Sequence, residues 1–265
     1  MSTPKPRPQR PKDGVAWITG ASSGIGQALA KRLAKDGWRV ALSARSEEKL
    51  NRLAETDPER FRAFPLDVSD PTAVADTARK IDRDFGPLAR VIFNAGVYLP
   101  VEAEKPDFKK FKTTFEVNVL GVAAGLAAVN PIFAERQSGQ ILIVSSATGF
   151  GGMPTASAYG ASKAALINMA ECLRIELDRW GVLVQLSTPG FVETPAQDDN
   201  AFPKPFMVSP ETAADRLAQG MDKSAFEISF PRRFTWTLKG FYGLPRSLWL
   251  PLVRKQTGWD QPLTD

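Results

Sequence analysis

Tyr159 and Lys163 are the two side chains whose types and spacing point most directly to chemistry. They stand four residues apart, so in a helix both leave the same face one turn apart. An ammonium held beside a phenol, with a positively charged ring nearby, would lower the pKa of the phenol toward neutrality. A phenol that exchanges a proton near pH 7 is a general acid/base. Alone the pair is a weak signal, because many helices carry it in solvated form.

One hydroxyl and two amides precede this pair at informative positions. Ser146 follows a predicted strand, and its hydroxyl would hydrogen-bond a substrate oxygen while Tyr159 exchanges the proton. Alternation along the strand sends the neighbouring Ser145 to the opposite face. Asn94 ends another predicted strand. Asn118 lies within a predicted helix, where Asn is a poor helix former unless its amide has other work.

Gly20, Gly24 and Gly26 lie between the first predicted strand and the first predicted helix. Glycines at such a turn let the backbone approach a pyrophosphate, and the helix N-terminus supplies amides and a partial positive charge. The spacing G-x-x-x-G-x-G therefore predicts a dinucleotide-binding turn. The alternative is an ordinary glycine-rich turn.

Arg45 stands at the end of the second predicted strand. A cofactor whose ribose has a free 2′-hydroxyl is usually held there by Asp or Glu, and the first carboxylate here is Glu47. A guanidinium can instead pair bidentately with a 2′-phosphate, with Ser43 or Ser46 adding a hydroxyl. The sequence thus favours NADP(H) over NAD(H), the alternative being that Arg45 is a surface cation.

The elements that must position these residues alternate between strand and helix. Apolar runs bounded by turn residues predict strands at residues 15–19, 39–44, 61–66, 88–93, 140–145, 183–188 and 225–230. Apolar spacing and caps predict helices at about residues 25–36, 46–56, 70–85, 107–137 and 155–180, and a further helix from residue 209. This alternation predicts an α/β fold: a doubly wound parallel sheet (Rossmann fold) of about seven strands with helices on both faces.

In order and spacing these motifs strongly resemble the short-chain dehydrogenase/reductase family of the single-domain Tyr-x-x-x-Lys type. The matching positions span roughly residues 13–230 and comprise residues 19–26, Asp67-Val68, Asn94-Ala95-Gly96, Asn118, Ser146, Tyr159, Lys163, Pro189-Gly190 and Thr194. Each motif is weak alone, whereas the set is highly specific. The resemblance implies an NADP-dependent dehydrogenase or reductase acting on CH–OH or C=O groups.

The resemblance also implies a role for each residue. Tyr159 would be the acid/base, Ser146 would orient the carbonyl or alcohol, and Lys163 would lower the pKa of Tyr159 and hold the nicotinamide ribose. Asn118 would hold a water in a proton relay. The implied cofactor-binding residues are Gly20, Ser22, Ser23, Gly24, Ile25, Gly26, Arg45, Asp67, Val68, Asn94, Ala95, Gly96, Tyr159, Lys163, Pro189, Gly190, Val192 and Thr194.

Two features qualify the implied function. Of the family's two basic positions associated with NADP, Arg45 fills one, whereas the other, just before Gly24, is Ser23. The alternative to an enzyme is a non-catalytic protein that senses NADP(H) on the same fold. All four catalytic positions match the family pattern, which favours the enzyme.

Composition excludes several other classes of protein. The sequence has no histidine, which removes histidine-based triads and zinc sites that need imidazole. Its one cysteine, Cys172, is predicted to be packed in a helix and forms no intramolecular disulfide, which fits a reducing cytoplasm. The net charge of +5 is concentrated near the two ends, so no general nucleic-acid-binding surface is predicted. A membrane-spanning helix is not expected, because no stretch approaches 18 uncharged apolar residues.

Three regions are expected along the chain. Residues 1–12, rich in proline and cations, predict a disordered arm, and residues 13–230 the catalytic domain. Residues 231–265 interleave six aromatics with six cations. This extension is expected to pack on the domain or a partner subunit, or to contact the inner face of a membrane peripherally.

The substrate and the partners are predicted only by class. The region around residues 149–155 and 190–209 is largely apolar, with Phe150, Met153, Phe191, Phe202, Phe206 and Met207. A hydrophobic carbonyl or alcohol substrate is therefore expected. By analogy with the family, a homo-oligomer (dimer or tetramer) would form through the helices at 107–137 and 155–180.

Overall fold

Seven parallel strands form one sheet in the computed structural model, which describes residues 4–194 and 206–261. The strands are β1 (Val15–Thr19), β2 (Arg39–Ser43), β3 (Phe61–Ala63), β4 (Leu88–Phe93), β5 (Gly139–Val144), β6 (Val182–Pro189) and β7 (Glu227–Phe230). Their order is β3-β2-β1-β4-β5-β6-β7. The winding reverses between β1 and β4, where the carboxyl ends of the strands open a crevice. The predicted doubly wound parallel sheet is confirmed.

Helices cover both faces of this sheet. They are α1 (Gly24–Lys35), α2 (Glu47–Glu55), α3 (Pro71–Asp84), α4 (Phe108–Phe115), α5 (Gly121–Arg136), α6 (Ser157–Asp178), α7 (Pro210–Met221), α8 (Arg232–Tyr242) and α9 (Arg246–Gln256). Alternate residues of β1 enter different apolar cores, because successive strand side chains point to opposite faces. Ala16 and Ile18 pack with α1 and α7, whereas Val15 and Trp17 pack with α3, α5 and α6.

The predicted long helix at 107–137 is interrupted by a π-helical turn, Glu116–Leu120, between α4 and α5. Phe108–Arg136 is the one helical stretch within the described residues that is long and apolar enough to span a membrane by length and composition alone. Core helices of soluble proteins have the same character. Here α5 packs on α3, and α4 packs on α6.

The expectation of a disordered arm is wrong for residues 4–12. Gln9 is buried, and its backbone amide donates to Gln140 Oε1 at 2.9 Å. The fully buried Arg90 donates to the backbone oxygen of Gln9 at 2.8 Å and to Gln140 Oε1 at 2.8 Å. The arm stays ordered because it supplies partners to polar groups buried at the amino edge of the sheet, which would otherwise be costly.

Residues 232–256 form two helices that the sequence did not predict. Trp249 of α9 is buried, and its ring lies 4.9 Å from the ring of Tyr242, edge-on. Tyr242 in turn packs so closely on Gly151 that a Cβ there would lie 2.1 Å from its ring. Lys239 forms an ion pair with Glu227 of β7. The extension therefore packs on the domain through one side of α8 and α9.

Cys172 lies exposed on α6, so the prediction of a packed cysteine is wrong. The buried positions of this helix include Leu166, Ala170 and Leu177. Residue 172 is two positions after Ala170 and is rotated by about 200° from it, on the outward side.

Candidate active site

The turn between β1 and α1 depends on glycine at two positions. Gly20 has a φ of 71° and Gly24 a φ of 52°, both in the left-handed region that favours glycine. Gly26 sits beneath the turn, where a Cβ would lie 2.2 Å from the carbonyl oxygen of Gly20. The turn can therefore close over the first residues of α1 only when position 26 has no side chain.

Asn94, at the end of β4, fixes this turn from the neighbouring strand. Its Nδ2 donates to the carbonyl oxygens of Thr19 (3.1 Å) and Gly20 (3.2 Å). The hydroxyl of Thr19 accepts from the amides of Asn94 (3.1 Å) and Ala95 (3.2 Å). These hydrogen bonds hold the carboxyl ends of β1 and β4 together, and Asn94 forms part of the wall of the crevice.

Lys163 is buried in α6, and its Nζ donates to the carbonyl oxygen of Val144 at 3.0 Å. The same nitrogen lies 5.6 Å from the centroid of the Tyr159 ring. Ser145 holds this segment from β5, since its hydroxyl donates to the carbonyl oxygen of Lys163 at 2.8 Å. The Tyr159–Lys163 pair is therefore anchored on the adjacent strand and is not a solvated surface pair.

Ser146 points into the crevice beside Tyr159. Its Oγ accepts from the hydroxyl of Thr148 at 2.9 Å and from the amide of Thr148 at 3.3 Å. Burial raises the pKa of Tyr159 to about 12, partly offset by the hydrogen bond with Ser146. Burial lowers the pKa of Lys163 to about 8.

The expected lowering of the Tyr159 pKa does not come from the protein's own groups. Desolvation disfavours both charged forms, the phenolate and the ammonium, and it is the largest cause of both pKa shifts. At neutral pH the phenol therefore holds its proton. The expected lowering of the pKa depended on a positively charged ring beside Tyr159 in addition to Lys163, and the chain itself does not supply such a ring.

Asn118 is buried in the π-helical turn between α4 and α5. Its Oδ1 accepts from the amide of Val97 at 2.8 Å, and its Nδ2 donates to Val97 O at 3.0 Å and to Ser162 Oγ at 3.1 Å. Both donors and one of the two acceptor sites of the amide are thus used within the protein. A role of Asn118 in holding a relay water stays a prediction.

A cavity of about 590 Å³ opens at the crevice between β1 and β4. Every predicted site residue lines it except two: Gly26 lies beneath the turn, and Asn118 lies behind the wall. The predicted residues in the lining are Gly20, Ser22, Ser23, Gly24, Ile25, Arg45, Asp67, Val68, Asn94, Ala95, Gly96, Ser146, Tyr159, Lys163, Pro189, Gly190, Val192 and Thr194.

The rim of this cavity beyond β2 is basic. Arg45 is exposed there, and Lys49 of α2, which sequence reasoning missed, lines the same wall. Lys49 could have been found, because the predicted helix at 46–56 begins directly after Arg45 and Lys49 lies in its first turn. Asp67 faces this rim; hydrogen bonds from Ser69 hold the pKa of its carboxyl below the usual value, and the charge of Arg45 lowers it further.

A second cavity of about 370 Å³ adjoins the first. Its walls include Met153 and Phe191, as predicted, together with side chains of α8 and α9. Packing of the aromatics of this extension on the domain was one of the sequence-based expectations, and Phe234, Phe241 and Tyr242 are among them. The residues that sequence reasoning missed are Thr237, Leu238, Val253, Gln256 and Thr257. Phe206 and Met207 are exposed outside the lining, as is the partly exposed Phe150, and Phe202 lies outside the described residues.

Four residues line both cavities: Tyr98, Ser146, Tyr159 and Gly190. Tyr98 is another residue that sequence reasoning missed, since it follows the Asn94-Ala95-Gly96 motif in a segment without periodicity. The phenol and the serine hydroxyl therefore stand where a long polar cleft meets a smaller, more apolar pocket. This arrangement suits proton exchange between groups bound on either side.

Comparison with known proteins identifies the family. The family model described as short chain dehydrogenase matches residues 14–203. The chain belongs to the short-chain dehydrogenase family. The match covers the cleft from the glycine turn through Tyr159 and Lys163 and ends before β7, α8 and α9.

Relatives of this short-chain dehydrogenase agree with that assignment. An uncharacterized oxidoreductase of Myxococcus xanthus is 35% identical over 244 residues, or 91% of this chain and 96% of that protein. The structure of a short chain dehydrogenase from Burkholderia cenocepacia in complex with NADP is 24% identical, with a TM-score of 0.80 over 96% of this chain and 99% of that one. This structural likeness supports the assignment of the fold.

A third protein shows that cofactor choice varies among similar structures. The 3-ketoacyl-(acyl-carrier-protein) reductase from Brucella melitensis, complexed with NADH, is 28% identical, with a TM-score of 0.74. The likeness covers 82% of this chain and 97% of that one. For this short-chain dehydrogenase the cofactor must therefore be argued from its own residues.

Proposed function

We propose that this protein is an NADP(H)-dependent oxidoreductase that interconverts a carbonyl and an alcohol on a hydrophobic small molecule. The observation that carries the proposal is the position of Tyr159 and Ser146 at the junction of the two cavities. A proton donor at that junction reaches a substrate in the smaller cavity while a cofactor occupies the larger one.

The larger cavity fits a nicotinamide dinucleotide. It runs from the glycine turn at the N-terminus of α1, which favours a pyrophosphate, to Lys163 and Tyr159. Because Gly26 has no side chain, the turn packs closely on the start of α1, and a phosphate can approach the amides of the turn. The cofactor supplies or accepts the hydride when it is bound. Asp67 and Val68 would hold its adenine end, and Lys163 its nicotinamide ribose.

Tyr159 acts as the general acid/base. Because burial raises its pKa to about 12, the phenol is protonated at neutral pH and can donate to a carbonyl oxygen as that group is reduced. The Ser146 hydroxyl orients the same oxygen and, by donating to the phenolate, stabilises Tyr159 after the proton has left. Lys163, with a pKa of about 8, stands beside the phenol as a positive charge that favours the phenolate.

NADP(H) is the preferred cofactor in this proposal. Arg45 and Lys49 place two cations on the wall beyond β2, with Ser22, Ser23 and Ser46 adding hydroxyls. A 2′-phosphate there would receive charge-assisted hydrogen bonds, whereas a 2′-hydroxyl would leave the guanidinium without its partner.

The substrate is a hydrophobic carbonyl or alcohol. The smaller cavity is walled by Phe191, Phe234, Leu238, Phe241 and Val253. Burying an apolar group among such side chains is favourable by about 25 cal/mol per Å². Where it meets the larger cavity, the hydroxyls of Tyr159 and Ser146 line it and would bind the oxygen that reacts.

A screen of NADPH oxidation against aldehydes, ketones and 3-oxoacyl thioesters tests the proposal. Turnover of apolar carbonyls with NADPH, at least 10-fold faster than with NADH, is the expected result. Tight NADPH binding without turnover of any carbonyl or alcohol in the panel would instead favour a cofactor-sensing protein.

The homo-oligomer stays a proposal, supported by exposed apolar side chains on α4, the π-helical turn and α6. These are Phe108, Leu120 and Ile175. Pairing α4–α5 and α6 with a second copy would remove them from water. Sedimentation velocity should then report a dimer or tetramer that Ile175→Asp weakens. A cytoplasmic location likewise stays a prediction.

A further inference from the structure

The helices α8 and α9 and the turns that follow them carry large apolar side chains that remain exposed. Half of the twelve large apolar side chains exposed in residues 4–194 and 206–261 lie between positions 236 and 259. They are Trp236, Leu244, Leu248, Leu250, Leu252 and Trp259, and together they are named the outer face. Trp236 is 66% exposed and Leu248 54%. Such a concentration of exposed apolar groups marks an interaction surface.

Cations accompany this outer face and outnumber the acids near it, of which Asp260 follows Trp259. Residues 231–259 contain no Asp or Glu and six cations: Arg232, Arg233, Lys239, Arg246, Arg254 and Lys255. Among the described residues, Lys239 alone of the six forms a salt bridge, with Glu227. The other five are exposed, so their charge faces solvent in the same segment as the leucines and tryptophans.

We propose that the outer face docks on an anionic lipid bilayer. Tryptophan rings suit the headgroup region, and the leucines suit the boundary with the acyl chains. The exposed cations are attracted by the negative surface potential of acidic lipids. Residues Leu248 and Leu252 are one turn apart on α9, with Arg254 and Lys255 following, so apolar and basic groups are presented together.

A second copy of this chain is a poorer occupant of the same face. A twofold contact pairs a surface with itself, so two outer faces would bring ten exposed cations together without an intervening carboxylate from residues 231–259. Like charges brought together in this way oppose association. An anionic bilayer supplies both the apolar interior and the missing negative charge.

The docking surface is preformed, because the inward sides of α8 and α9 are held by the domain. Trp249 and Val253 are buried, and Tyr242 packs on Gly151. These same inward sides wall the smaller cavity. The outer face therefore lies about one helix diameter, roughly 10 Å, from that cavity. The docking itself does not depend on which reaction the protein catalyses.

Sedimentation of the full chain with sonicated vesicles tests the proposal. Phosphatidylcholine vesicles are compared with vesicles that also contain about 30% phosphatidylserine, in low and high salt. The expected result is binding to the anionic vesicles at least about 10-fold tighter than to the neutral ones, weakened by salt because surface charge is screened. Absence of binding of the intact protein to anionic vesicles overturns the proposal.

Two variants separate the apolar and the basic contribution. Leu248→Ser with Leu252→Ser removes apolar contacts, and Arg232→Glu with Arg233→Glu reverses charge. Each should weaken binding to anionic vesicles by about 10-fold or more. The matched controls are Trp180→Ser, after the end of α6, and Lys31→Glu with Lys35→Glu on α1, which should bind like the original protein.

Circular dichroism and thermal melting establish that each variant is folded. If the leucine variant does not fold, Trp236→Ala on the other helix replaces it. Unchanged vesicle binding in the folded outer-face variants would overturn the proposal. So would variants that abolish self-association in sedimentation velocity while the original protein ignores vesicles, because the occupant would then be a second copy.

Discussion

The ring of Tyr98 meets the ring of Tyr159 edge-on, with centroids 5.1 Å apart and planes at 86°. The Tyr98 hydroxyl also lies 3.3 Å from the hydroxyl of Thr155. Tyr98 therefore contacts the proposed acid/base residue at the junction of the two cavities, both of which it lines.

Replacing Tyr98 should therefore affect catalysis by changing the orientation of Tyr159. Tyr98→Ala removes an aromatic contact of about 1 kcal/mol and opens the junction to water, so kcat should fall about 10-fold and KM for an apolar carbonyl should rise. Tyr98→Phe keeps the ring and should retain most activity. Steady-state kinetics with NADPH measure both, and equal losses in the two variants would show that the hydroxyl matters more than the ring.

Tyr159→Phe should remove the proton donor and leave the cleft intact. Loss of a general acid lowers kcat by about 100- to 10,000-fold, whereas NADPH should still bind because the phenol oxygen is a small part of the cofactor wall. Fluorescence titration with NADPH and turnover of a carbonyl substrate are measured on the same preparation. Activity close to that of the original protein would contradict the acid/base role.

The stability of the cofactor-free protein should rise with pH above 8 because of Lys163. Its pKa is about 8 in the folded protein and near 10.5 when unfolded, so between these values the unfolded chain binds more protons. The free energy of unfolding then increases with pH across this window, by about 3 kcal/mol at most.

Lys163→Met serves as the comparison for this effect. The variant lacks the ammonium, so the original protein should gain stability relative to the variant from pH 8 to pH 10. Urea denaturation at fixed pH measures it. A difference that stays constant over this range would show that Lys163 is not buried with a lowered pKa.

Arg45→Ala should discriminate between the two cofactors. If the guanidinium binds a 2′-phosphate, KM for NADPH rises about 10- to 100-fold, which corresponds to one lost charge-assisted interaction, and KM for NADH changes little. Lys49→Ala should act in the same direction. Arg52→Ala, on the exposed side of α2, is the matched control. Equal effects of Arg45→Ala on NADPH and NADH would refute the preference for NADP(H).

Gly26→Ala should disrupt the turn that the cofactor needs. Its Cβ would lie 2.2 Å from the carbonyl oxygen of Gly20, so we expect a loss of about 1 to 3 kcal/mol in stability and weaker NADPH binding. Gly152→Ala is the control, because a Cβ there meets nothing within 4 Å. Thermal melting and NADPH titration measure the two effects, and a Gly26→Ala protein indistinguishable from the control would disprove the close contact.

Much of the sheet was predictable because its strands are short apolar runs bounded by glycine, proline or charged residues. β1 and β4 begin and end at the predicted residues. β3 is shorter than predicted: Phe64 and Leu66 are buried beyond its end. An apolar pattern indicates which residues are buried. It therefore continues past the last hydrogen-bonded residue of a strand when the loop that follows also covers the core.

Other features had no local signal. The ordered arm depends on Gln9 and Gln140, which are 131 positions apart, and neither pattern nor propensity reports such a contact. The helices α8 and α9 lie within a region rich in aromatics and cations whose pattern also suited a membrane interface. Their inward and outward sides became distinct only once Tyr242 and Trp249 had packed on the domain.

Local sequence patterns were enough to predict the reacting groups proposed for this short-chain dehydrogenase. The glycine turn, Ser146, Tyr159 and Lys163 follow or open elements that these patterns place at one edge of a parallel sheet. The pKa of the phenol and the walls of the smaller cavity depend on the tertiary structure. The reason is that desolvation and packing depend on residues distant in the chain, and both decide how Tyr159 and Lys163 hold their protons and what can bind beside them.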